Sequence, residues 1–315
     1  MTRFVDFLKN PAGSACVAAI LVWIVSTTYA GGLGAGARLS TALAFSTFVV
    51  IVGLGQMLVI TLGPGNIDLS VPATMTLAGV TAMGVMQSTD SRISYGLVVA
   101  ILIGLAVGAI NYGLIRVLAI PPIIATMSSN FLILSTAIAT GRGLRIVPPD
   151  ALAAFATGRI FTIPILAMFV TGLTALVSVM LARLIFGRSI LAIGQNMNAA
   201  YLSGIPVERV RFIIYTLSGG FAGLCGVFLA AFSGGGSLNL GEDFLLSSIA
   251  VVVVGGTSVM GGKANPPGLW AAAMFLFLLT SMLNTFGVSS GIRLLVTGII
   301  IISVILFTGN KDTYT

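Results

Sequence analysis

Histidine is absent from all 315 residues. That removes the commonest general base and the usual proton shuttle near neutral pH. It also excludes a serine–histidine–aspartate hydrolase and any imidazole-bound metal. Charge is nearly as scarce: Lys, Arg, Asp and Glu make up 7% of the chain while 57% is hydrophobic. Soluble domains carry about 25% charged residues, so this composition describes an all-α polytopic membrane protein. Apolar segments use up the whole length, and residues 1–315 read as a single transmembrane domain. The two cysteines, Cys16 and Cys225, sit in apolar runs and read as packing residues, with no disulfide and no metal implied. The formal charge of +7 does not point to nucleic acid, because the cations are scattered between apolar segments, where they orient a chain in a bilayer. No cleavable signal is expected: residues 1–10 contain Asp6, and the first apolar run lacks a small-residue cleavage site.

Ten apolar segments are present, at roughly 12–30, 40–62, 70–86, 94–118, 121–140, 160–186, 210–232, 244–260, 267–286 and 291–308. A helix needs about 20 residues to cross a bilayer, so the third and eighth are short. Short segments bounded by Gly and Pro mark broken or re-entrant helices near a transport pathway, or plain short spans. An even count puts both termini on one side. With residues 183–211 in the cytoplasm, nine Lys and Arg fall inside and six outside, which favours cytoplasmic termini.

The chain is organised around the polar interruption at residues 183–211. It holds five of the 23 charged residues (15 basic plus 8 acidic): Arg183, Arg188, Glu208, Arg209 and Arg211. Within it the spacing predicts a short helix over Met197–Leu202. Asn196 is placed to cap it, Gly204 suits a left-handed stop, and Pro206 forbids continuation. The segment is either a contact surface for a cytoplasmic partner or an ordinary loop.

The second polar feature is Asp68, with Asn66 and Ser70, between the second and third apolar segments. A carboxylate there is costly unless it is paired, capped or wet. Asp68 or Ser70 is therefore expected to cap the next helix, with Pro72 tolerated in its first turn, or to line a pathway. Residues 141–159, with Arg142, Arg145, Asp150 and Arg159, form the longest candidate external loop. Residues 233–243 are glycine-rich. Residues 257–264 superficially resemble a phosphate-binding loop, but Thr257 replaces the first glycine and Ala264 the magnesium-holding hydroxyl. Gly104 with Gly108, and Gly219 with Gly223, have the spacing that lets membrane helices approach closely.

The chain carries no energy source of its own. It has no nucleotide site, and Asp68 is the one carboxylate near a span, whereas an ion-driven carrier places acidic or polar ligands at the midplane. This favours a pathway driven by another subunit, although neutral oxygen ligands could also serve sodium.

Several stretches in order carry a family resemblance: Gly55-Gln56-Met57-Leu58-Val59-Ile60, then Asn66-Ile67-Asp68-Leu69-Ser70-Val71 and Ile123-Ile124-Ala125-Thr126-Met127. They continue with Gly187-Arg188, Ala192-Ile193-Gly194-Gln195-Asn196, Ala199-Ala200 and Leu202-Ser203-Gly204-Ile205. Gly255-Gly256-Thr257-Ser258 and Gly261-Gly262 complete the set. From about residue 39 to residue 307 the chain resembles the permease subunit of bacterial sugar-uptake ABC transporters of the ribose type. The resemblance implies a bacterial inner-membrane protein of about ten spans with discontinuous helices, similar to the cobalamin-importer architecture. It also implies four kinds of partner: membrane lipid, a second permease copy or paralogue, a cytoplasmic ATPase and a periplasmic sugar-binding protein. ATP and magnesium would sit on the ATPase, with no cofactor in this chain. The coupling helix that docks into the ATPase would be Asn198, Ala199, Ala200, Tyr201, Leu202, Ser203 and Gly204, in a loop over about residues 187–209.

Two departures stand out. Asn66 and Pro72 replace glycines, and Gly31-Gly32-Leu33-Gly34 replaces the family's stretch after the first span. Both would fit one half of a diverged heterodimeric pair. Alternatives are a permease for nucleosides or branched-chain amino acids, and an autonomous ion-coupled carrier.

Overall fold

In a bilayer each backbone polar group must be satisfied within its own segment, so long apolar runs become helices. The computed structural model describes residues 11–29, 34–141 and 146–309. Its helices are α1 (Pro11–Tyr29), α2 (Ala35–Thr61), α3 (Val71–Met86), α4 (Ile93–Val117), α5 (Pro122–Gly141), α6 (Asp150–Thr157), α7 (Ile165–Arg183), α8 (Ile185–Gln195), α9 (Met197–Leu202), α10 (Val207–Phe232), α11 (Phe244–Val254), α12 (Pro266–Thr285) and α13 (Ser290–Gly309). A two-residue hairpin, β1 (Arg159–Ile160) and β2 (Ile163–Pro164), pairs Ile160 with Ile163. The protein is an all-α polytopic membrane protein. Among the described residues seven helices are long and apolar enough to cross a membrane: α1, α2, α4 with the turn before it, α5, α7, α10 and α12. Residues 1–10 and 310–315 lie outside the described residues, as do 30–33, Arg142 and Arg145. The expectation about the termini therefore falls outside the description, as does most of the departure at Gly31-Gly32-Leu33-Gly34.

The centre is α2, whose residues from Val50 to Thr61 are all buried. Around it stand α10, α11 and α12, with α4 against α10. The outer faces of α4 carry Val98, Leu102 and Ile110, exposed as lipid-facing side chains are. The two small-residue pairs meet each other. A methyl group on Gly104 would lie 2.1 Å from the Gly219 carbonyl oxygen, and one on Gly223 2.3 Å from the Ala100 carbonyl oxygen. The α4 and α10 backbones thus touch, which is how membrane helices gain packing without a hydrophobic driving force.

Three segments differ from the sequence expectation. The sixth run, read from residue 160, begins as the hairpin and turns helical at Ile165. It ends at Arg183, where extended Leu184 (ψ 148°) separates α7 from α8. The external stretch over residues 141–159 is not plain loop: α6 buries Leu152 and Ala156, and Phe155 packs against Phe169 and Phe228. Asp90 fixes its start by accepting a hydrogen bond from the Ala151 N–H (3.0 Å). The eighth run stops being helical at Val254, giving an 11-residue helix followed by turns.

Replacing Gly219 with Leu is expected to force the α4–α10 crossing apart at a cost of about 1–3 kcal/mol, lowering the melting temperature in detergent. Gly113→Ala is expected to leave it unchanged, because nothing lies within 4 Å of the added carbon.

Candidate functional site

The break between α2 and α3 folds back on itself. Gly63 (φ 122°) and Gly65 (φ 78°) take conformations that disfavour a side chain. The turn they make places Asp68 inside the protein, 2% exposed. One carboxylate oxygen of Asp68 accepts the Ser70 N–H (3.0 Å) and the Ser70 hydroxyl (2.6 Å), and the other accepts the Ser218 hydroxyl of α10 (3.0 Å). The Gln56 amide, oriented to satisfy both partners, donates to the Asp68 carbonyl (3.1 Å) and accepts its N–H (3.3 Å). Asn111 of α4 donates to the Ser70 hydroxyl (2.7 Å), and Tyr215 of α10 donates to Asn66 Oδ1 (3.0 Å). Asn66, Asp68 and Ser70 are therefore brought together in one hub joining α2, α3, α4 and α10.

The capping expectation is corrected here. Ser70 occupies the N-cap position of α3, but no side-chain cap bond comes from it. Its hydroxyl is turned to the carboxylate instead. The Ala73 N–H in the first turn donates to Asn130 Oδ1 of α5 (3.3 Å), and the Leu69 N–H just before it to Thr126 Oγ1 (3.0 Å). The donors are thus met by a neighbouring helix rather than by the helix's own chain. Sequence reasoning missed Gln56, Asn111, Thr126, Asn130, Tyr215 and Ser218. The available signal was an amide inside an apolar run (Gln56, Asn111 and Asn130), which is costly in a membrane unless it has a partner.

The eighth segment's trailing loop meets the same break. The Gly262 N–H donates to the Thr61 carbonyl (2.9 Å), and a methyl on Gly261 would lie 2.4 Å from the Gly63 Cα. Gly194 of α8 closes the contact, since a methyl there would lie 1.9 Å from the Thr61 oxygen. The Asn265 amide donates to the Gly255 carbonyl (2.8 Å). The glycines of residues 257–264 thus serve backbone-to-backbone contact, not a phosphate cradle. Among the described residues no three His, Cys, Asp or Glu side chains group to hold a metal.

The polar interruption contains α8 and α9. α8 is read from spacing once it is seen: Gly187, Ile190, Ile193 and Gly194 are buried on one face while Arg188 is exposed. α9 spans Met197–Leu202, and the extended Asn196 accepts the Ala199 N–H on its side-chain oxygen (3.0 Å). At the far end Gly204 (φ 82°) closes the helix, its N–H bonded to the Tyr201 carbonyl (3.0 Å) and the Ile205 N–H to the Ala200 carbonyl (3.1 Å). These are the two bonds of a Schellman stop. Ala200 is buried and anchors the helix, whereas Tyr201 is 71% and Leu202 84% exposed. A shallow cavity of roughly 440 Å³ beside them is lined by Arg116, Met197, Tyr201, Pro206 and Glu208 among others. Glu208 pairs with Arg116 (2.7 Å) and, more distantly, with Arg211 (3.8 Å). The helix is thus fixed at both ends and holds Tyr201 and Leu202 outward.

The profile of the family described as "Branched-chain amino acid transport system / permease component" matches residues 38–305. The chain belongs to that family. It is similar to the probable ABC transporter permease protein y4mJ of Sinorhizobium fredii, at 29% identity over 82% of this chain and 77% of that protein. It is also similar to the fructose import permease protein FruF of Bifidobacterium longum, at 28% identity over 82% and 73% of the two chains. The autoinducer 2 import system permease protein LsrD of Photorhabdus temperata is 30% identical over 82% and 80%. No solved structure matches. The chain is a transmembrane permease subunit of an ABC importer.

Substitutions at two positions test the geometry. Asp68→Ala strips the acceptor from three buried donors and is expected to cost about 1–3 kcal/mol for each unsatisfied group, read as loss of folded protein in detergent. Asp68→Asn keeps an acceptor for the Ser70 turn and is expected to cost less. Asn196→Ala removes the cap of α9 at about 1 kcal/mol, seen as faster amide exchange confined to Met197–Leu202.

Proposed function

We propose, with that family membership as the premise, that this subunit moves a sugar across a bacterial inner membrane. The sugar is delivered by a periplasmic binding protein, and the power comes from a cytoplasmic ATPase that docks on α9. One observation carries the docking: Tyr201 and Leu202 stand exposed on a helix held rigid by Asn196 and Gly204. Asn198, Ala199, Ala200, Tyr201, Leu202, Ser203 and Gly204 form the coupling element, and Arg188 and Arg209 near it are exposed. The sugar class rests on the relatives named for fructose and autoinducer 2 import and on the Asn66-Ile67-Asp68-Leu69-Ser70 stretch. A branched-chain amino acid is the second reading, favoured by the wording of the family description.

In this reading the whole chain is one domain with ten spans, α3, α11 and α13 completing the set, and both termini are cytoplasmic. A second permease, identical or paralogous, supplies the other half of the route. ATP binding closes the ATPase pair and displaces α9, and the permease halves rearrange so that the sugar passes between them. ATP and magnesium belong to the ATPase, and this chain carries no cofactor and no catalysis. Asn66, Asp68 and Ser70 hold the broken helix beside that route.

A tagged chain purified from native membranes in mild detergent is expected to bring with it a P-loop ATPase, with a second permease that is a paralogue or another copy of itself. Tyr201→Asp and Leu202→Asp are expected to insert normally and lose the ATPase, because a charge enters an apolar contact. Recovery of the chain alone, active for transport in liposomes without nucleotide, would overturn this reading.

A further inference from the structure

Glu208 lies in the first turn of α10, directly after the loop that ends α9. Its carboxylate reaches sideways to α4, accepting the Tyr112 hydroxyl (2.6 Å) and pairing with Arg116 (2.7 Å). The Arg211 guanidinium sits over the Tyr112 ring, 5.6 Å from its centre, and 3.8 Å from the same carboxylate. Tyr112 in turn packs on Tyr215, ring centres 5.8 Å apart. The Tyr215 hydroxyl donates to Asn66 Oδ1, and the Asn66 amide donates to the Gly63 carbonyl (3.1 Å). Gly63 is the residue against which Gly261 packs. An unbroken series of contacts therefore joins the end of the docking helix to the junction where both broken-helix loops touch.

The surroundings make this series stiff. A methyl on Gly108 would lie 2.1 Å from the Tyr215 carbonyl oxygen, so α4 and α10 are in backbone contact at the level of the two tyrosines. That close approach resists sliding of α10 on α4, and α10 meets the broken helix through the Tyr215–Asn66 bond and, one turn on, the Ser218–Asp68 bond. The other side of α9 has its own connection, through Gly194 of α8 to the Thr61 carbonyl. Both ends of the docking helix thus lead to the same glycine junction.

We propose that Glu208, Tyr112, Tyr215 and Asn66 are positioning residues that carry displacement of α9 to the junction at Gly63 and thereby couple ATP use to opening of the route. The proposal rests on the ATPase-docking reading of α9. A hydrogen bond from a hydroxyl to a carboxylate is short and strong, and it transmits displacement only while both partners remain.

Tyr112→Phe and Tyr215→Phe keep the rings and remove only the hydroxyls. Each is purified as the complete complex with its ATPase, placed in liposomes with the binding protein, and assayed for substrate moved per ATP hydrolysed. Both are expected to assemble in wild-type amounts, while the transported amount per ATP falls by about fivefold, the low end of measured coupling factors. Because the contacts act in series, the double variant is expected to fall no further than the worse single one. Tyr95→Phe, at an exposed tyrosine in the opposite end of α4, is expected to leave the ratio unchanged. A wild-type ratio in both variants, losses that multiply in the double variant, or failure of the variants to assemble would each overturn the relay. If instead Leu202→Asp retains the ATPase, the docking reading falls, whatever the tyrosines do.

Discussion

A carboxylate buried among helices must have its charge met by nearby donors, because water is not there to do so. Asp68 meets this condition with the Ser70 N–H, the Ser70 hydroxyl and the Ser218 hydroxyl, and Gln56 holds its backbone. Much of the protein's middle follows from that single group. The turn at Gly63 and Gly65 exists to bring it inward. The start of α3 surrenders its own cap to it, and α5 compensates through Thr126 and Asn130. The hub therefore ties five helices together, in a region where apolar packing alone gives weak specificity because lipid is as apolar as the helices.

The second constraint is the use of glycine as a contact surface. At the α4–α10 crossing, backbone meets backbone with no side chain between. At the junction of Gly63, Gly194 and Gly261 three separate segments do the same, and one hydrogen bond from Gly262 to Thr61 fixes them. Such contacts have steep repulsive walls and little slack. That property suits helix packing in a membrane, where close backbone approach replaces the hydrophobic driving force. It also explains why the glycines near residues 255–262, which imitate a nucleotide loop on paper, serve packing instead.

Legibility followed the range of the interaction. α9 was readable residue by residue because its determinants are local: Asn196 before it, Gly204 and Pro206 after it. The long apolar helices were readable because bilayer thickness sets their length. α8 carried a usable pattern in Gly187, Ile190 and Ile193 that an apolar window blurs into the span before it. α6, with eight residues, is too short for periodicity to separate it from a loop. Its helix depends on Asp90 and on the rings packed against Phe155.

The sequence by itself determined the class of molecule, the position and caps of α9, and the spacing of the small-residue pairs. Only the tertiary structure decided what those features face. Ser218 meets Asp68 across 150 residues of chain, and Gly104 finds Gly219 rather than lipid. The Asp68 carboxylate turned to a hub instead of capping its own helix. The physical reason is that capping and helix length are settled within a few residues, whereas the partner of a buried polar group is whichever distant donor the packed helices bring within hydrogen-bonding reach.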